Sequence, residues 1–188
     1  MNASEAQVVH GSADNAVLKR MAGELMGEAT GSVAVIALAI AALAGVRSAL
    51  FAAIATIVLG AAVLIEGGVL AGAEMIERGE FATTEFLGGL TGVVLGILAL
   101  VGVAPASLLS VAIIVFGATL LFSRMAGGEF GGRVLVGIAA IVLGILAVVG
   151  LNQVILVSVA LLALGTMELT DGLENGARMA AANHAKQA

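Results

Sequence analysis

The stretch Gly92-Val-Val-Leu-Gly-Ile-Leu-Ala-Leu-Val-Gly102 returns, with three conservative changes, as Ala140-Ile-Val-Leu-Gly-Ile-Leu-Ala-Val-Val-Gly150. A fainter third copy ends at Gly45. Shifts of 57 and then 48 residues align the three copies without a gap. Gly45, Gly102 and Gly150 then coincide, and so do Gly60, Gly117 and Gly165. A period near fifty in an apolar chain marks one structural unit used three times.

The 188 residues are 61% hydrophobic and 11% charged, with a mean hydropathy of +1.16. A soluble domain of this size cannot hide so much apolar surface, so most of this chain is expected to have lipid as its solvent. Cysteine is absent, which excludes disulfides, thiolate metal sites and thiol catalysis. Tryptophan and tyrosine, the usual interfacial anchors, are absent too. Of the six phenylalanines, Phe81, Phe86, Phe122 and Phe130 lie beside one set of loops. The net charge of −5 argues against nucleic acid as a partner. Residues 1–28 lack the basic start, apolar run and cleavage site of a signal peptide, so the first hydrophobic helix is expected to direct insertion.

Each copy reads as two apolar helices joined by a tight turn. The expected fold is an all-α membrane protein with six transmembrane helices, arranged as three repeated hairpins around a pseudo-threefold axis. The hairpins occupy 29–66, 85–123 and 133–171, with limbs of about 16–19 residues, near the minimum for crossing a bilayer. Gly45, Gly102 and Gly150 stand where a helix ends on a left-handed residue. Pro105 fits the first turn of a returning helix, and Ser48 and Asn152 fit as caps of the other two. Lys19, Arg20, Arg78, Arg124, Arg133, Arg178 and Lys186 flank the open ends of the hairpins, whereas only Arg47 lies at a tip. That bias predicts cytoplasmic termini and outward-facing tips in a prokaryotic inner membrane. Because each copy contains two spans, the copies share one orientation and are not an inverted pair.

Gly88, Gly92 and Gly96 follow at steps of four, and Ala140 and Gly144 reproduce that face in the next copy. Ala37, Ala41 and Gly45 approximate it in the first. Small residues let helices approach closely in lipid. The helices ahead of the turns are therefore expected to form the interior of the bundle.

Outside the hairpins, residues 1–28 carry an amphipathic segment at 14–28 that fits the cytoplasmic interface. The link 67–84 is acidic, with Glu74, Glu77 and Glu80 against Arg78, and is expected to extend the preceding helix as far as Gly79. Residues 172–188 form the cytoplasmic tail, expected to be disordered after about Asn175.

Glu66, Ser123 and Asp171 are equivalent in the repeat and mark one depth; Glu168 lies about one turn deeper. Glu168, Asp171 and Glu174 follow at steps of three, forming one acidic stripe that leaves the apolar layer. Three readings of it stand. The stripe ends the span and meets Arg124, Arg133 or Arg178, it contacts a partner subunit, or it responds to protons or cations. Catalysis is not expected: His10 and His184 lie in the tails, and no nucleophile, base and acid converge. The glycine pairs Gly127-Gly128 and Gly131-Gly132 lack the lysine of a phosphate loop. Two distant histidines without cysteine cannot build a typical transition-metal site, so no metal or cofactor is expected. Ser110 and Ser158 are repeat-equivalent and are expected to bond back to helix carbonyls.

The phrase Gly92-x-x-x-Gly96-Ile-Leu-Ala-Leu, then Pro105, the apolar run 108–115, Gly117 and Leu120-Leu121, resembles the short-repeat domain of the HdeD family. The resemblance covers about residues 30–172. It implies a prokaryotic six-helix inner-membrane protein without enzymatic activity, linked to stress and, in the family's namesake, to acid resistance. The expected partners are the lipid bilayer and either further copies of the chain or other membrane subunits. Two other readings remain open: an accessory or scaffold subunit of a larger membrane complex, and a small-solute channel or carrier.

Overall fold

The computed structural model describes residues 30–45, 47–78, 84–125 and 131–187, and every regular element among them is an α-helix. The helices are α1 (Thr30–Leu43), α2 (Ser48–Arg78), α3 (Thr84–Leu100), α4 (Pro105–Met125), α5 (Gly132–Val148) and α6 (Gln153–Gln187). The amphipathic segment at 14–28, Lys19, Arg20, Glu80, Phe81, Phe130 and the Gly127-Gly128 pair lie outside the described residues. So do the side chains of Glu66, Arg124 and Arg178. Three helices are long and apolar enough to cross a membrane, over Ser48–Ile65, Pro105–Ser123 and Gln153–Glu174; α1, α3 and α5 are apolar but shorter.

Three turns of one design join α1 to α2, α3 to α4 and α5 to α6. Gly45, Gly102 and Gly150 have φ of 83°, 92° and 98°, a left-handed conformation in which a Cβ is strained. Two bonds close the second turn, from Gly102 N–H to the Ala99 carbonyl and from Val103 N–H to the Leu98 carbonyl, both at 3.1 Å. Gly150 and Leu151 repeat them onto Ala147 and Leu146. This pattern satisfies carbonyls that a helix end otherwise leaves open. Two residues beyond each glycine, Arg47, Ala104 and Asn152 are also left-handed, with φ of 44°, 39° and 36°. Asparagine tolerates that conformation, whereas Arg47 and Ala104 are strained by about 1 kcal/mol each. Their carbonyls accept the first bonds of the returning helices, from Phe51, Leu108 and Leu156. The capping position of α2 is thus Arg47, and Ser48 is already helical.

Burial follows the repeat register closely. In α1, Ser32, Val35, Ala39 and Ala42 are buried; their equivalents Gly89, Gly92, Gly96 and Ala99 in α3 are buried too. Gly137, Ala140, Gly144 and Ala147 complete the set in α5. Gly88 joins that face of α3. Ala37 is exposed and Ala41 half-buried, so the small-residue face of α1 is displaced from the expected Ala37, Ala41 and Gly45.

The helices after the turns, not those before them, form the interior. They bury two sides each: Ala52, Ala53, Ala55, Thr56, Leu59 and Gly60 in α2 have buried equivalents throughout α4 and α6. The reason lies in what the small residues approach. Gly60 of α2 meets Gly89 of α3, and Gly117 of α4 meets Gly137 of α5, backbone against backbone. Glycine thus seats each outer helix on an inner one rather than drawing the outer helices together. On α6, Gly165 faces Val35 and Ile36 of α1 at slightly greater distance, where Ser32 replaces the glycine of the other copies. Helices α2, α4 and α6 also touch one another.

Helix α2 runs on to Arg78, through the expected extension. The disordered tail expected after Asn175 is corrected: α6 continues to Gln187. Alanine, methionine, arginine and lysine are good helix formers, and a helix that is already nucleated extends at little further entropic cost. Thr56, Ser110 and Thr119 bond back to the carbonyls of Ala52, Ala106 and Val115, at 2.8, 2.8 and 2.9 Å. Ser158 departs from its equivalent Ser110: its hydroxyl is buried without a hydrogen-bond partner among the described residues.

Candidate functional site

Two sets of equivalent residues meet at the end of the inner helices remote from the turns. Leu59, Phe116 and Leu164 form one set, and Val63, Leu120 and Glu168 the next. All six line a single cavity between α2, α4 and α6. The register explains why they converge, since 59, 116 and 164 differ by the same 57 and 48 residues as the turn glycines. Glycine explains why Phe116 fits there: its ring packs against Gly92 of α3, where a Cβ would overlap it. Thr119, also lining the cavity, packs in the same way on Gly88.

Glu168 breaks the apolar pattern. It is 4% exposed, at the position held by valine and leucine in the sister copies. A carboxylate there costs more than either alkyl side chain, because desolvation disfavours a buried charge. Two further ionisable residues line the cavity, Glu85 in the first turn of α3 and Arg133 at the start of α5. They are equivalent in the repeat, yet opposite in charge. The Arg133 guanidinium forms an ion pair with Asp171, both side chains being mostly buried.

The acidic stripe therefore leaves the core by degrees. Glu168 is buried, Asp171 partly so and paired, and Glu174 exposed. Helix α6 brings Glu168 and Asp171 to the same polar end as Arg133; Glu66 lies on the corresponding part of α2, with its side chain outside the described residues. The packing residues Gly88, Gly92, Gly96, Ala140 and Gly144 line helix contacts, and only the first two lie behind the cavity wall. Glu85 and Thr119 were not singled out from the sequence as parts of this site. The usable signal for Glu85 was its equivalence to Arg133.

The cavity offers ≈ 20 Å³ to the centres of water molecules, room for one or two of them. Among the described residues, no three or more His, Asp or Glu side chains are grouped to hold a metal ion. The arrangement is a small, partly open, water-sized chamber lined by charged residues and by Leu59, Phe116 and Leu164. Chemically it can hold water and order charges. No family model, curated protein or solved structure matches the chain.

Proposed function

We propose that this chain is a non-catalytic, multi-pass protein of a prokaryotic cytoplasmic membrane, similar to the HdeD type. Its six helices span the bilayer as three hairpins around a pseudo-threefold axis, with both termini cytoplasmic. It acts by assembling in the bilayer or by contacting partner subunits there, in a stress-linked role.

One observation carries the reading. The outward positions of the outer helices are apolar at matching register: Ile40, Ile97 and Ile145 are 54%, 47% and 50% exposed. Val33, Leu90 and Ile138 form a second such set, and Leu43, Leu100 and Val148 a third. Water would select polar residues at those positions, whereas lipid favours the residues found. Among the described residues, every charged residue except Arg47 lies toward the end remote from the turns, as a boundary with the cytoplasm requires.

Purification of the full chain from bacterial membranes into lipid nanodiscs tests the role. A defined homo-oligomer is the expected result, and a stoichiometric foreign subunit would shift the role to that of a scaffold. Monomers that carry a solute across liposome membranes would contradict both.

A further inference from the structure

The apolar body is short along the direction of its helices, and both of its ends are fixed by observation. Helices α3 and α5 contain 17 residues each, about 25 Å at the rise of an α-helix. Glu85 lies in the first turn of α3 and Arg133 in that of α5, so charge begins where these helices begin. On α6 the stretch from Gln153 to Glu168 covers about 23 Å, so a buried charge stands at a comparable distance from the turns.

The other end adds no polar spacer. Val101 and Val149 at the turns are 74% and 73% exposed, and Val103 and Leu151 are more than half exposed. Arg47 is the one charged residue among the described turn residues. In each of these two turns the backbone engages two helix-end carbonyls, through the paired bonds onto Ala99 and Leu98, and onto Ala147 and Leu146. Apolar side chains on an internally bonded turn suit the edge of a hydrocarbon layer. On α3 and α5 the distance from charge to turn is therefore the whole apolar length.

We infer that this surface fits the acyl chains of a thin bilayer, with a hydrocarbon layer of about 25 Å, and thins the thicker bilayer of about 30 Å around it. The fitting lipid is one with short acyl chains. The chain has no tryptophan or tyrosine to hold its ends at a more distant interface. This inference rests on the membrane reading above.

The test uses the full chain in phosphatidylcholine vesicles whose monounsaturated chains run from 14 to 22 carbons. Thermal loss of helical circular dichroism gives the stability, and resistance to alkaline extraction gives insertion. The midpoint is expected to be highest at 14 or 16 carbons and about 5 °C or more lower at 22. A maximum at 18 carbons or beyond, or a flat profile in an inserted protein, overturns the thickness inference and leaves the membrane reading intact. Extraction from every vesicle would overturn both.

Discussion

Gly89→Ala breaks the helical body apart. A Cβ on Gly89 would lie 2.5 Å from the Leu64 nitrogen, 2.7 Å from the Gly60 carbonyl oxygen and 2.8 Å from the Leu64 Cα. All three are backbone atoms of α2, so no rotamer change can relieve the overlap. Helix α3 must back away from α2 along its length, opening gaps beside Gly92 and Gly96. Overpacking with forced backbone movement costs about 3 kcal/mol or more. Aggregation during purification in detergent, or a melting midpoint at least about 10 °C lower, is the expected outcome. Gly132→Ala provides the comparison: nothing lies within 4 Å of its added Cβ, and alanine is the better helix former. That variant melts with the parent or slightly above it. If Gly89→Ala behaves like Gly132→Ala, the close seating of α3 on α2 is wrong.

Arg133→Leu carries the second large effect. It removes the cation paired with Asp171 and one wall residue of the cavity that Glu168 lines. A largely buried carboxylate stripped of its partner destabilises a fold by about 3 kcal/mol. Neutralising Asp171 as well should recover much of that loss, because neither half of the pair then remains charged. The expected order of melting midpoints is parent, then Arg133→Leu with Asp171→Asn, then Arg133→Leu alone. Equal midpoints for the single and double variants would show that Asp171 does not depend on Arg133.

The sequence was most legible where geometry leaves one choice of residue. A left-handed helix end calls for glycine, and the three turn glycines stand out at fixed spacing for that reason. The next left-handed positions, Arg47 and Ala104, were hidden because their side chains give no sign of the conformation they adopt. Which limb lies inside was hidden as well. Small residues stud both limbs of every copy, and a glycine shows that something approaches without showing what. Only the contacts of Gly60 with Gly89, and of Gly117 with Gly137, reveal that outer helices sit on inner ones.

The site was legible in depth but not around the helix axis. Repeat register placed Glu168 one turn deeper than Asp171 and opposite valine and leucine in the sister copies. It could not show that Leu59, Phe116 and Leu164 line the same cavity, or that Glu85 and Arg133 join its wall from neighbouring helices. Those relations depend on how each helix is rotated against its neighbours, and packing sets that rotation through glycines such as Gly88 and Gly92.

The absence of native cysteine permits the most direct test of the six-span arrangement. Single cysteines are placed by Ala104→Cys and Leu151→Cys at two turns, and by Leu173→Cys at the exposed polar end of α6. Intact bacterial cells are then treated with a membrane-impermeant maleimide. Both turn variants should be labelled in intact cells, and Leu173→Cys only after lysis. Labelling of the two turns from opposite sides, or of Leu173→Cys from outside, would contradict three hairpins sharing one orientation.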